Sequence, residues 1–112
     1  MTPTREILTT ARALIATPDK WTQGAYRRDA AGEMCKPENA VCWCAVGALA
    51  DIINSPNLTE DDELRIFEEA RHAIEKANQI TTLESFNDAP NRTHAEVLAA
   101  FDRAIEAEGV AQ

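Results

Sequence analysis

Three stretches of this chain carry apolar residues at spacings of three and four, and a fourth is apolar on nearly every side. The fourth, Val41 to Ile53, holds a single charge, Asp51. Wound as a helix, it places Cys42, Val46, Leu49 and Ile53 on one side and Trp43, Ala45, Ala48, Ala50 and Ile52 around most of the rest. A helix apolar nearly all round must be enclosed by other elements, so this segment is predicted to be the central rod. The first amphipathic helix is predicted over about residues 3 to 16, with Ile7, Leu8, Ala11, Leu14 and Ile15 on one stripe, Pro3 in its first turn and Pro18 as its stop. Thr59 followed by Glu60, Asp61 and Asp62 is an N-cap with acids at the positive end of the helix dipole. The helix it opens carries Leu64, Phe67, Ala70, Ile74 and Ala77 and ends near Asn78, with i,i+4 support from Asp61–Arg65 and Glu68–His72. Thr93-His94-Ala95-Glu96 is a capping box before Val97, Leu98, Phe101, Ala104 and Ile105, and Gly109 is the natural stop.

The period changes between these helices. Residues 20 to 37 predict a hairpin: a strand through Trp21–Arg28, a turn at Asp29-Ala30-Ala31-Gly32, and a return through Glu33-Met34-Cys35-Lys36 ended by Pro37. An isolated hairpin is marginal in water, so Trp21, Tyr26 and Met34 are its expected anchors on the central helix. Asn54-Ser55-Pro56-Asn57 turns the chain after that helix. Residues 79 to 92 are less periodic, and Phe86-Asn87-Asp88-Ala89-Pro90-Asn91 is a dense turn cluster. The fold class is therefore mainly α: four principal helices around a buried central helix, with a small two-stranded β-hairpin, in a single domain spanning residues 1–112.

Size and charge narrow the function classes. At 112 residues the chain has the usual length of one domain and buries enough surface for one core. A net charge of −8 argues against general nucleic-acid binding, where phosphate neutralisation dominates affinity. The apolar runs are too short to span a membrane, and the N-terminus shows no secretory pattern, so a cytoplasmic address is expected. The charge is uneven: Lys20, Arg27, Arg28 and Lys36 make the hairpin basic, while Glu60-Asp61-Asp62-Glu63 and Glu68-Glu69 are acidic blocks. Such asymmetry can steer a partner.

Three clusters could carry chemistry. A thiol of Cys42 or Cys44 in the first turn of a helix would have its thiolate stabilised; nucleophilic work would then need His94 or His72 as base and Asn87 or Asp88 as orienter. Packing explains buried cysteines more simply. Cys35, Cys42, Cys44 and a histidine supply the ligand types for zinc, but Cys-x-Cys with one distant thiol fits structural zinc spacing poorly, and neither a metal nor a cofactor is expected. Finally, Asn87, Asp88, Arg92 and His94 together with Trp21 and Gln23 form either a brace, with Asp88 paired to Arg92 or a hairpin arginine, or a polar-aromatic binding pocket.

The segments Trp21-Thr22-Gln23-Gly24-Ala25-Tyr26, Cys42-Trp43-Cys44-Ala45-Val46-Gly47-Ala48-Leu49 and Phe86-Asn87-Asp88 with Arg92-Thr93 and Glu96-Val97-Leu98 together resemble a family of small bacterial and bacteriophage proteins catalogued as a domain of unknown function. Its pattern joins Trp-x-Gln-Gly, Cys-x-x-Gly-Ala-Leu and Trp-Asn-Asp-x-Pro segments, and Phe86 stands where the family often has Trp. The resemblance implies a small soluble single domain and transfers no activity. Gly47, costly in a helix by about 1 kcal/mol, implies close backbone approach by the hairpin. Two function classes follow. One is a non-enzymatic cytoplasmic accessory protein, such as a bacteriophage-style inhibitor of a host protein, that binds another protein through the basic hairpin or the acidic helix. The other is a small-molecule-binding protein or thiol enzyme using the Trp21, Cys44, Asn87 and Asp88 neighbourhood.

Overall fold

The computed structural model describes residues 3–53 and 57–110. Its elements run α1 (Pro3–Leu14), β1 (Arg27–Arg28), β2 (Cys42–Trp43), α2 (Ala45–Ile53), α3 (Glu60–Asn78), α4 (Leu83–Asp88) and α5 (His94–Val110), with single 3-10 turns at Pro18–Lys20 and Pro37–Asn39. The three long helices α1, α3 and α5 pack on one another, and α2 lies against α1, α3 and α4 with β2 at its start. Ala45, Val46, Gly47, Ala48, Leu49 and Ile53 of α2 are buried. The core around them holds Leu8 and Ile15 of the first helical segment, Ile74, Leu83, Val97 and Phe101, all fully enclosed. The apolar rod is thus a buried central helix, as its composition requires. The turn at 54–56 lies outside the described residues.

The rod is shorter than the apolar run. Cys42 and Trp43 are extended and pair antiparallel with β1, Arg27 opposite Trp43 and Arg28 opposite Cys42. Helical winding starts only at Cys44, whose carbonyl accepts from the Ala48 N–H at 2.9 Å. Val41, Cys42 and Trp43 are strand formers as readily as helix formers, and the unpaired edge of β1 decides between the two states. The hairpin's return differs for the same reason. The Asp29 turn forms, with Gly32 at φ +83° and the Asp29 carboxylate accepting from Ala31 and Glu33 N–H groups at 2.9 and 3.0 Å. Beyond it, Met34 makes a single bridge to Arg28, and the strand paired along β1 is Cys42–Trp43 rather than Glu33–Lys36.

Tyr26 and Met34, expected as apolar anchors, are 57% and 72% exposed; Trp21 alone of the three packs on the core. The close approach is made by backbone instead. A Cβ on Gly47 would stand 1.9 Å from the Tyr26 carbonyl oxygen, and the Cys44 N–H donates to that oxygen at 3.0 Å. Only glycine lets strand and helix meet this closely.

Helix ends mostly follow the sequence signals. Thr59 caps α3 through the Asp62 N–H at 3.1 Å, and Gln79 ends it in the left-handed region at φ 55°. Thr93 and Glu96 form the reciprocal capping box on α5. Gly109 does not end α5, which continues through Val110; the residue faces the Arg5 guanidinium. On α3, Arg65 pairs with Asp62 and Glu69, and His72 lies near Glu75, which are not the i,i+4 pairs expected. Within 79–92 the chain forms the short helix α4, capped by Thr82 through the Ser85 N–H.

Candidate functional site

Among the described residues, Asn87, on the last turn of α4, is the one buried polar side chain, with no exposed area. Its Oδ1 accepts from Trp21 Nε1 at 2.7 Å and from the Ala45 N–H at 3.0 Å. Its Nδ2 donates to the Thr22 carbonyl at 3.1 Å and to Asp88 Oδ1 at 2.9 Å. A buried amide with all its capacity used is a fastener between elements, here joining α4, the segment before β1 and the start of α2. Gln23 adds to it by donating to the Asn87 and Ala89 carbonyls at 2.8 and 3.1 Å. Asp88 Oδ1 also accepts from the Gly24 N–H at 3.0 Å, where Gly24 holds φ +80°.

This clasp takes one of the N–H groups at the start of α2, and neighbouring groups take others. Helix N-termini leave donors unpaired and so favour anions. Here Cys44 N–H goes to Tyr26, Ala45 N–H to Asn87, and Gly47 N–H to Cys44 Sγ at 3.2 Å. Those donors are already engaged within the chain. Cys44 is therefore an N-cap, 6% exposed, and burial pushes its thiol pKa upward, offset only in part by the Gly47 N–H. A nucleophilic cysteine needs the opposite shift.

The other sequence candidates are placed as follows. Cys42 lies in β2, half-buried, rather than in a helix turn. His94 opens α5 with Nε2 2.7 Å from the Ile15 carbonyl oxygen, its ring 6.0 Å from that of Trp21. Arg92 stacks over the Phe86 ring at 3.8 Å and donates to the Phe86 carbonyl at 2.8 Å; its carboxylate partner is Glu96 at 3.6 Å. The expected Asp88–Arg92 pairing is thus replaced by Asp88 with Gly24 and Asn87. His72 is 77% exposed beside Glu75. Among the described residues, no three His, Cys, Asp or Glu side chains converge as a metal set would.

A second, half-buried fastener ties the hairpin to α2. Arg27 forms a bidentate pair with Asp51, both contacts 2.7 Å, and Trp43 Nε1 donates to the same carboxylate at 2.8 Å. The Asp51 hydrogen bonds hold the Arg27 guanidinium pKa above its ordinary value. The single charge of the apolar run thus ties the sheet to α2.

Cys44, Asn87 and Asp88 do meet at one concave place. They line a groove of ≈ 240 Å³ with Gly24, Tyr26, Met34 and Glu84. Tyr26 and Glu84 also border a second hollow of ≈ 340 Å³ with Val46, Ala50, Phe67 and Arg71. Ala50 and Phe67 continue into a third of ≈ 230 Å³ beside Glu63 and Leu64. The three adjoin through shared residues and run from the hairpin to the acidic start of α3. Sequence reasoning missed Glu84, Phe67 and the outward turn of Tyr26; Thr82 before Leu83-Glu84-Ser85, an N-cap signal for α4, could have located the first.

The fold and site define a small helical domain, clasped by a buried asparagine, with a long groove between hairpin and acidic helix. The chain belongs to a family of unknown function (DUF6197), whose profile matches residues 1–107. No curated protein and no solved structure matches the chain. No helix among the described residues is long and apolar enough to cross a membrane.

Proposed function

We infer that this chain is a non-enzymatic, cytoplasmic accessory protein that binds another protein through the face shared by the hairpin and α3. One observation carries the reading. Of the four exposed large hydrophobic residues among those described, Tyr26, Met34, Val41 and Leu64, three line the adjoining hollows. Scattered exposed apolar residues need no explanation, whereas a contiguous set rimmed by polar groups marks an interaction surface. Basic hairpin and acidic helix thus supply one face between them. The acidic groups along its hollows, Glu63, Glu68, Glu84 and Asp88, suit competition for a basic site on the partner, the chemistry that a bacteriophage-style inhibitor of a host protein would use.

The competing reading, a small-molecule or thiol site, draws on the groove at Cys44. That groove is smaller than the roughly 300–1,000 Å³ of small-molecule pockets, and burial pushes its thiol pKa upward, away from nucleophilic use. Photocrosslinking in cells of the source organism tests the protein-binding reading. A photoreactive residue at Leu64 should give one discrete adduct of higher mass, and the same residue at the exposed Glu106 of α5 none. Equal adduct patterns at both positions would remove the reading.

A further inference from the structure

The groove beneath Tyr26 combines features that the rest of the face lacks. Its lining joins Tyr26 and Met34 to the acidic residues Glu84 and Asp88. Asp88 takes its two hydrogen bonds on Oδ1, and Glu84 takes that of Arg71 on Oε1 at 3.3 Å. Among the described residues, the second oxygen of each carboxylate accepts no hydrogen bond from the chain. Both residues are exposed. An apolar slot with two carboxylate oxygens at its mouth is complementary to a cation on an aliphatic stem: the stem packs on Tyr26 and Met34, and the charge meets the carboxylates and the ring.

The neighbouring hollows add no competing cation. Arg27 is spent on Asp51, and Arg71 is shared among Glu68, Glu75 and Glu84. Glu63 and Glu68 extend the acidic rim along α3. A second copy of this chain, also at −8, would bring like charge to like. Resting on the protein-binding reading, we propose that the face takes a basic amphipathic segment of the partner. Its apolar side lies along Phe67 and Leu64, and one lysine or arginine side chain anchors in the Tyr26–Met34 groove between Glu84 and Asp88.

The test titrates the intact chain with a synthetic amphipathic peptide of leucine and arginine, an acidic counterpart, and agmatine, observed by amide NMR and calorimetry. The arginine peptide should bind saturably and shift the amides of Gly24, Glu84 and Asp88, agmatine should shift the same three weakly, and the acidic peptide should do neither. Glu84→Gln and Asp88→Asn, which keep shape and the Oε1 or Oδ1 acceptor, should each weaken the peptide about tenfold, as loss of a charge-assisted contact does. Leu64→Ser should weaken it without abolishing the agmatine shifts. If Leu64→Ser lowers affinity while both carboxylate variants bind like the parent, the anchor falls and the docking face stands. If no variant changes affinity, or the shifts fall outside the face, both fall. Concentration-dependent dimers that bury Tyr26, seen by sedimentation, would also overturn the proposal in favour of a second copy.

Discussion

Two regions of this molecule invert the usual placement of polar and apolar groups, in opposite directions. At the clasp a polar side chain, Asn87, is fully buried; on the hairpin–α3 face Tyr26, Met34 and Leu64 stand in water. The clasp explains itself, because every polar atom of Asn87 meets a partner within the chain. The face does not, since nothing among the described residues covers it. An inversion satisfied from inside is structural, and one left open calls for something outside. The difference lies in the hydrogen-bond and packing account, which residue types alone do not give.

The largest expected effect belongs to the clasp. Asn87→Ala leaves the Trp21 Nε1–H, the Ala45 N–H and the Thr22 carbonyl without their partner. A buried orphan costs about 1–3 kcal/mol, and with Ala45 buried and the other two partly so the loss should be about 3 kcal/mol, read as a lower midpoint in urea at constant slope. A loss below about 1 kcal/mol would show that water replaces Asn87 easily and that the comparison is misdrawn. Asp51→Ala comes next. Arg27 would lose both contacts at side-chain exposures of 18% and 12% for the pair; breaking a fully buried pair costs about 3–5 kcal/mol, and partial exposure reduces this to about 2–3. Trp43 emission should shift to longer wavelength as its N–H partner disappears.

Gly47→Ala should cost about 2 kcal/mol despite the better helix propensity of alanine, because the new Cβ meets backbone rather than a movable side chain. A raised melting temperature would mean that strand and helix part without penalty.

That glycine marks the limit of what was readable in advance. Its position in an apolar run pointed to close approach, and the approach exists. The partner was readable only as the hairpin, since its identity as the Tyr26 carbonyl depends on which strand pairs with β1. The helices with caps and strict periodicity, α1, α3 and α5, stood out because each signal is local. Cys42 and Trp43 did not, because an apolar run suits a buried helix and a buried strand alike until the edge of β1 is in place. Asn87 and Asp88 were recognisable as a brace or a pocket. That Asn87 caps α2 from 42 residues away in sequence, with its amide saturated, is a tertiary fact no window shows. Tyr26 and Met34 failed as anchors because aromatic and apolar character alone does not say which way a short strand turns.

Exposed caps fall between the two regions: polar groups satisfied inside the chain, yet in water. Thr93 hydrogen bonds hold Glu96 below its ordinary pKa of 4.5, and bonding to Thr59 holds Asp62 below 3.8. Both shifts are depressions. The stabilisation is therefore complete above those ordinary values and is lost as pH falls through the lower, folded-state ones. Thermal melts from about pH 6 to about pH 3 should show wild type losing stability more steeply than Glu96→Gln. Parallel curves would mean that the capping box contributes nothing in solution.

The smallest effect should come from the outer face. Tyr26→Ser and Leu64→Ser remove apolar groups that already stand in water, at 57% and 60% exposure. Substitutions away from cores, caps and paired charges stay within about 0.5 kcal/mol. Tyr26 contributes to the fold chiefly through its carbonyl, which accepts from the Cys44 N–H and abuts Gly47, and serine keeps that carbonyl. The two variants, singly and together, should therefore unfold at the parent's urea midpoint. A combined loss above about 1 kcal/mol would mean that these side chains pack on the fold in solution, and the face would then need no partner. With the midpoint unchanged, the two side chains are free of any structural duty, and their placement beside Glu84, Asp88 and Phe67 is left to binding.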